Sequence, residues 1–424
     1  MKIWALLLSI LGLAAQVTSV PRALSKELNL SEAVRQALVQ SPDLKVLQSQ
    51  VESLKSKASQ ALSLSEPTVG VQFNDMDRAF NSGNPGSTVY LFSQPLGFPG
   101  KALVNRSSLS EQAQGVYFQL KSKELEIANS VKISYYQLAQ AEKNILLNHE
   151  QKDSFERILA IAKRRYEAGG ITQVDFLNAQ IALYTTSNDL ADLESTKRSA
   201  LTQLNISIGN DPETELEVKP LHVAIKPFIA FKDVQEKMMQ NRFEIKTAQH
   251  QAAAAEKNFS FAKMSLLPDF QITLGQTQYN YQTASPVNPL TTTYTAGIQM
   301  TLPLWSLFNE RHGIHAASQD RAAALANVDS VSRLSRIALD GALESLKTLQ
   351  KKIETYEKHL LPLSEQSFNL ALISYSSGKI DFQSLADTAS ARRGIKRDYY
   401  SLLVNYALGY SSLGQLVGED LNCE

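Results

Sequence analysis

The sequence contains one arrangement of segments twice, and this repetition constrains the fold more than any other feature. Residues 67–73 read Pro-Thr-Val-Gly-Val-Gln-Phe, and residues 268–274 read Pro-Asp-Phe-Gln-Ile-Thr-Leu. Each opens a short alternating stretch, which is followed by a second short stretch and a long helical run. The order strand, strand, long helix, turn and helix therefore predicts an internal repeat, with halves at residues 28–210 and 228–418.

The first residues have the pattern of a secretory signal peptide. Lys2 precedes an apolar stretch at residues 3–15 that is too short to span a bilayer, and small residues lead up to Ser19. This pattern predicts removal of residues 1–19 and export of residues 20–424.

Charge and cysteine content exclude several classes of protein. Lys plus Arg and Asp plus Glu each total 42, so no net field directs the chain to nucleic acid. The single cysteine, Cys423, lies far from the expected cleavage site, so we expect neither an intrachain disulfide nor an N-terminal lipid anchor. No later segment has the roughly 20 apolar residues of a transmembrane helix. The exported chain is therefore expected to be soluble or to cross a membrane with strands.

Four segments have the alternation of half-buried β-strands. They lie near residues 67–75, 87–95, 268–276 and 294–302. Apolar residues alternate with Gln, Thr, Asn and Gly, except in the second segment, which is apolar on both faces. Such polar residues are typical of a water-filled barrel lumen, and about nine residues suit a tilted transmembrane strand. A soluble hairpin is the alternative for any single segment.

The number of strands bears on the oligomeric state. Four strands cannot close a barrel, and an unpaired strand edge is not tolerated in lipid. If the strands span a membrane, several copies must share one barrel. Two copies would give eight strands and a filled interior, whereas three would give twelve and an open lumen. On that condition, we expect a homotrimer surrounded by outer-membrane lipid.

Long helical runs account for most of the length. Residues 101–168 are predicted to form one helix of about 100 Å, at 1.5 Å per residue. The run at 306–377 is similar, and Pro362 should kink it or replace one backbone hydrogen bond. Residues 209–227 are expected to form an irregular belt. Shorter helices are predicted at residues 30–65, 172–208, 231–266 and 381–416.

The helix ends carry capping signals. Ser31 is the predicted N-cap of the first helix, and Thr172 and Asp381 are the predicted N-caps after the two turns. The glycines that follow the long runs can take positive φ, and they are Gly169, Gly170 and Gly378.

The turns also carry a shared motif. Residues 166–179 and 375–387 both contain Tyr-x-x-Gly-x-Ile, and the strand-to-helix junctions read Gln-Pro-Leu-Gly-Phe-Pro-Gly-Lys at 94–101 and Leu-Pro-Leu-Trp-Ser at 302–306. Together these segments resemble the TolC-like outer membrane efflux protein family, over nearly the whole mature chain.

The resemblance implies a mainly α fold with a small β part. Each protomer would contribute four transmembrane strands to a trimeric 12-stranded β-barrel above a coiled-coil helical barrel. The implied function is a passive duct in a Gram-negative outer membrane, served by a periplasmic adaptor and an inner-membrane pump, expected to be of the RND type. The junction at 94–101 resembles the heavy-metal and multidrug branch. A duct for type I protein secretion is the alternative within the family.

The resemblance also implies roles for residues at the turns. Asp175 and Tyr375 fall where the family has a contact that closes the tunnel, and Asp387 falls where it has an acidic ring. Ser384 stands where the family can have a second carboxylate, so the ring should be weaker here. Alternatively, Asp175 and Asp387 are only first-turn acids that stabilise the helix dipole. The adaptor-docking residues implied are Gly169, Gly170, Ile171, Gly378 and Ile380.

Two other classes of exported protein are alternatives to a duct. A periplasmic adaptor also has a long helical hairpin, but it has no repeated unit with four such strands. An enzyme with a helical insertion would need a catalytic group of residues, and no nucleophile motif or phosphate loop occurs. His312 and His315 have no cysteine near them, and two histidines of this kind form a poor metal site. We therefore expect no enzyme activity and no cofactor.

Overall fold

The computed structural model describes residues 27–74, 76, 85–220, 223–225, 231–279, 292–302 and 306–420. The expected signal peptide at 1–19, part of the second strand-to-helix junction at 303–305, and Cys423 lie outside the described residues.

Helices form most of the described chain, which confirms the mainly helical prediction. They are α1 (Leu30–Gln40), α2 (Pro42–Gln60), α3 (Lys101–Glu167), α4 (Gln173–Ile208), α5 (Phe231–Asn241), α6 (Phe243–Lys263), α7 (Ser306–Thr355), α8 (Leu361–Ser376) and α9 (Phe382–Val417). The strands are β1 (Glu27–Leu28), β2 (Thr68–Asn74), β3 (Ser87–Leu96), β4 (Glu217–Val218), β5 (Asp269–Tyr279) and β6 (Thr292–Thr301). The order helix, helix, strand, strand, long helix and helix occurs in both halves.

Two very long helical runs dominate the protomer. Helix α3 has 67 residues, which makes it about 100 Å long at 1.5 Å per residue. In the second half, a π-helical turn at Tyr356–Leu360 joins α7 to α8, and the Leu361 N–H bonds to the Tyr356 carbonyl. The turn precedes Pro362, which has no N–H to donate, so the backbone changes its hydrogen-bond spacing there. This confirms that Pro362 alters the helical hydrogen bonding.

Three helix predictions were wrong. The predicted helices at 30–65 and 231–266 are each divided in two, at Ser41 and at Arg242. Ser31 is not an N-cap, because Leu30 is already helical and Asn29 occupies the cap position without a side-chain hydrogen bond. The capping hydroxyl in this region belongs to Ser41, which accepts from the Leu44 N–H at 3.4 Å, and Pro42 begins the new helix.

A four-stranded antiparallel sheet has the order β2-β3-β5-β6, and its strands overlap the four predicted segments. The register aligns Val69 with Phe92, Phe92 with Leu274, and Leu274 with Ala296. Since side chains alternate between the faces of a sheet, these residues share one face, which is mainly apolar across all four strands, with Gln94 and Gln276 also on it. In the part of the chain that the structure describes this face is exposed, and Val69, Tyr294 and Ile298 are 79%, 78% and 77% exposed.

The belt near the middle of the long helices contains more regular structure than expected. Strands β1 and β4 pair in parallel there. The Tyr135 hydroxyl donates to the Leu28 carbonyl at 3.1 Å and accepts from the Lys219 N–H at 3.2 Å. Lys132 is buried and forms an ion pair with Asp420, after the end of α9. Of the predicted belt, residues 221–222 and 226–227 lie outside the described part.

Within the described residues, three apolar clusters are distributed among the helices. One surrounds the belt, a second joins α5, α7 and α9, and a third lies near the two helix turns. None of the helices in the described part is both long enough and apolar enough to cross a bilayer.

Candidate functional site at the two helix turns

The turns that follow α3 and α8 have the same backbone structure. Gly169 N–H donates to the Tyr166 carbonyl at 2.9 Å, and Gly378 N–H donates to the Tyr375 carbonyl at 3.1 Å. In each turn the next N–H bonds to the carbonyl five residues back, at 2.7 Å and 2.9 Å. Gly169 and Gly378 have φ of +74° and +79°, as predicted, whereas Gly170 does not have positive φ. Both helices therefore end in the same Schellman-type turn.

The helices that leave the turns begin with the predicted N-caps. Thr172 Oγ1 accepts from the Asp175 N–H at 3.2 Å and donates to the Asp175 carboxylate at 2.9 Å. Asp381 accepts from the Ser384 N–H at 2.9 Å. Hydrogen bonds from Ser384 lower the pKa of the Asp381 carboxyl, because they stabilise its charged form. Asp175 thus lies in the first turn of α4, where the alternative interpretation of this residue, an acid that stabilises the helix dipole, places it.

The two motif tyrosines have different surroundings. Tyr166 is 40% exposed and its ring stacks on Phe176, with centroids 5.5 Å apart. Tyr375 is fully buried, and no described residue gives its hydroxyl a hydrogen bond. Burial raises the pKa of Tyr375. The charge of Arg165 lowers this pKa, and the charge of Asp175 raises it. The charge of Asp175 therefore acts on Tyr375 within one protomer, but no hydrogen bond joins the two side chains.

Arg165 connects the two turns and was missed by sequence reasoning. Its Nη1 donates to the Tyr375 carbonyl at 2.7 Å, and its Nη2 donates to the Gly170 carbonyl at 3.1 Å. The guanidinium carbon lies 4.9 Å from the centre of the Tyr375 ring. The only sequence signal was its position beside the motif tyrosine Tyr166, which does not indicate a contact with the other half.

A groove between the turns brings most of the candidate residues together. Asp175, Arg165 and Lys379 line it. All the candidate docking residues line it as well, namely Gly169, Gly170, Ile171, Gly378 and Ile380. Asp387 lies further along α9, where it is exposed and accepts from Gln383 Nε2 at 2.8 Å.

A buried charged group further along the hairpins was also missed. Arg392 donates to Glu365 at 3.2 Å and to Ser154 Oγ at 3.0 Å, and it stacks 3.9 Å above the Phe368 ring. Lys396 pairs with Glu150 at 3.1 Å. These contacts join α3 to α8 and α9. They therefore link the α3–α4 hairpin to the α8–α9 hairpin at a distance from the turns.

Side chains that can bind a metal ion do not cluster in the part of the chain that the structure describes. No group of three or more His, Cys, Asp or Glu side chains there could hold a metal ion. His312 and His315 are both exposed on α7.

Comparison with known proteins identifies similar chains of modest identity. Protein CyaE of Bordetella pertussis is 25% identical over 59% of this chain and 52% of its own length. The pyoverdine export outer membrane protein OpmQ of Pseudomonas aeruginosa is 22% identical over 72% and 62%. The chain thus spans less than two thirds of these two relatives. The cobalt-zinc-cadmium resistance protein CzcC of Cupriavidus metallidurans is 21% identical over 88% and 86%.

Solved channel structures have the same fold. The outer-membrane channel OprN superposes with a TM-score of 0.76 at 16% identity, covering 92% of this chain and 89% of OprN. The CmeC outer membrane channel of Campylobacter jejuni gives 0.75 at 15% identity, covering 93% and 86%. A family profile described as outer membrane efflux protein matches residues 33–210 and 234–417. These matches cover both halves and most of the sequence, and the chain belongs to the outer membrane efflux protein family.

Proposed function

We propose that the chain is one protomer of a trimeric duct in a Gram-negative outer membrane, the passive exit of a tripartite efflux system. The observation that carries this proposal is the uncovered apolar face of the four-stranded sheet, at one end of helices about 100 Å long. An apolar face of this extent in contact with water is unfavourable, whereas lipid would cover it at no such cost. The long helices would extend from the membrane into the periplasm.

The edges of the sheet support a trimer. Strands β2 and β6 each pair on one side only among the described strands. In lipid these unpaired edges would have to be satisfied by other copies, and three copies would complete a barrel of twelve strands.

Two exposed apolar stripes on the helices support the same assembly. The exposed apolar residues of α4 recur at the spacing of one helix face, and those of α8 form a second stripe with similar spacing. The α4 stripe consists of Val174, Leu177, Ile181 and Tyr184, and the α8 stripe of Leu363, Leu370 and Ile373. We infer that a neighbouring copy covers both stripes in the helical barrel.

The turns would form the periplasmic end of the duct. We propose that Asp175 and Tyr375 contribute to its closure, that Asp387 narrows the pore as a ring of three carboxylates, and that the groove between the turns docks the adaptor. Three like charges around an axis favour cations in a constriction. Ser384 adds no charge, which leaves a weaker ring.

The cargo is proposed from the named relatives. CzcC is a metal-resistance protein and OpmQ exports pyoverdine, so small molecules or metal ions pumped by an inner-membrane transporter of the RND type are favoured. A protein cargo exported by type I secretion is the second candidate. The two halves, at 28–210 and 228–418, are proposed to be internal repeats, preceded by the signal peptide at 1–19.

Fractionation tests the duct directly. Outer-membrane fractions should contain trimers that dissociate on heating in detergent, and the purified trimers should form channels in planar bilayers. A soluble periplasmic monomer would contradict the proposal and favour an adaptor.

The acidic ring has its own test. Asp387→Asn should lower cation selectivity in single-channel recordings, because three charges leave the constriction. Asp398→Asn, which removes an exposed charge further along α9, is the matched control and should leave the selectivity unchanged. Equal selectivity of the Asp387 variant and the native channel would rule out the ring.

A further inference from the structure

We propose that Arg165 is the positioning residue that holds the two turns of one protomer together, so that they present a single docking surface. The inference rests on the proposed function, because it concerns the groove where the adaptor would bind. It adds a role for one side chain that neither the capping pattern nor the shared turn motif suggests.

The hydrogen bonds give the physical basis. The last carbonyls of a helix lack intrahelical partners and carry the negative end of its dipole. The Tyr375 carbonyl is one of these, and it accepts from Gly378 N–H and from Arg165 Nη1. The guanidinium simultaneously bonds to Gly170 in its own turn. One cation thus satisfies carbonyls in both turns, and charge-assisted hydrogen bonds of this kind are stronger than neutral ones.

Packing fixes the position of the guanidinium. It lies 4.9 Å from the centre of the buried Tyr375 ring, within the range of a cation–π interaction. A Cβ added at Gly378 would come within 3.1 Å of Arg165 Nη2, whereas a Cβ at Gly169 would have no atom within 4 Å. The glycine of the second turn therefore leaves room for Arg165, in addition to providing positive φ.

The link is asymmetric between the halves. The position in the second turn that corresponds to Arg165 is Ser374, which cannot span the groove. Arg164, the neighbour of Arg165, is exposed and its Nε donates within α3, to the Ala160 carbonyl at 3.3 Å. Arg165 is thus the described residue whose side chain bonds to both turns.

The chemistry requires arginine at this position. A planar guanidinium can donate in two directions at once while it stacks on a ring, and a lysine ammonium cannot reproduce that geometry. Without the link, a partner bound to the first turn would no longer set the position of the second.

The test measures the distance between the turns in full-length protein. Spin labels at Ala168→Cys and Ser377→Cys, in a Cys423→Ser background, report this distance by pulsed electron spin resonance. Labelled protomers are diluted with unlabelled ones so that only distances within one protomer are recorded. Variants Arg165→Ala and Arg165→Lys are compared with Arg164→Ala, which removes an equal charge without touching the second turn.

We expect a narrow distance distribution in the native background and in Arg164→Ala. Arg165→Ala should at least double its width, and Arg165→Lys should not restore it. A distribution in Arg165→Ala as narrow as in Arg164→Ala would overturn the inference, as would full rescue by lysine. If the native chain failed to form outer-membrane trimers, the duct would be rejected, yet the same distances in detergent would still decide the role of Arg165.

Discussion

At the scale of single residues, Tyr375 combines full burial with a hydroxyl that no described residue satisfies. A buried polar group without a partner costs about 1–3 kcal/mol. Tyr375→Phe should therefore leave the free energy of unfolding unchanged or raise it, whereas Tyr375→Ala should lower it by about 3–5 kcal/mol through the cavity. Denaturant titrations of both variants measure this. Under the proposed gating role, the phenylalanine variant should also raise the resting conductance, and an unchanged conductance would remove Tyr375 from the gate.

The same side chain predicts a pH dependence. Burial raises the pKa of Tyr375 above its ordinary value of 10.0, so the folded state keeps its proton at a pH where the unfolded state loses it. The resulting stability is fully present below pH 10 and is lost as the pH rises from there towards the folded-state pKa. Native protein should lose stability more steeply than Tyr375→Phe in unfolding titrations between about pH 9.5 and 11. Parallel curves would show that the hydroxyl ionises equally in both states.

Local residue roles could be predicted from the sequence, and distant ones could not. Thr172 and Asp381 cap their own helices, so the pattern around each turn was sufficient. Arg165 bonds to a residue 210 positions away, and Arg392 bonds to Ser154 across 238 positions. Only the packing of one hairpin on the other brings these groups together, and no periodicity in the sequence encodes that registry.

At the scale of elements, the two turns allow a matched comparison. Alanine at Gly169 or at Gly378 would have to adopt positive φ, which costs about 1–2 kcal/mol. Only at Gly378 would the added Cβ also press on Arg165. Gly378→Ala should therefore widen the distance distribution between the turns, and Gly169→Ala should not, although thermal unfolding would record a loss of stability in both. Equal broadening would show that φ strain alone disturbs the turns.

Of the two helix breaks, one has a clear signal in the sequence and the other has none. The break at Ser41 was readable, since a capping serine precedes Pro42, and the Ser31 assignment overlooked it. The break at Arg242 has no proline or glycine beside it. There the backbone of Asn241 and Arg242 lies against Gly418 after α9, where an added Cβ would come within 2.6 Å of the Asn241 carbonyl oxygen. A tertiary contact accompanies that break, so the local pattern could not reveal it.

At the scale of the whole molecule, the protomer leaves apolar surface uncovered in two different settings. The sheet exposes a mainly apolar face and has two edges that pair with no described strand, and α4 and α8 expose apolar stripes beside polar neighbours. The alternation of apolar and polar residues in the strands predicted the apolar face of the sheet. The apolar residues of four neighbouring strands fall on the same side and form one continuous face. The stripes were not predicted, since in a long helix the residues facing a neighbouring copy have the same spacing as those facing the protomer's own core.

The stripes lead to a test of assembly that leaves the protomer intact. Ile181 is 61% exposed, so a charge there should disturb the fold of one chain little. If a second copy covers the stripe, Ile181→Asp would bury an unpaired carboxylate in each of three interfaces and forfeit about 1.5–3 kcal/mol of apolar burial at each. We expect monomers in detergent by light scattering, with native helix content by circular dichroism. Ile181→Val keeps the stripe apolar and should remain trimeric, and a stable trimer of the Asp variant would place α4 outside the interface.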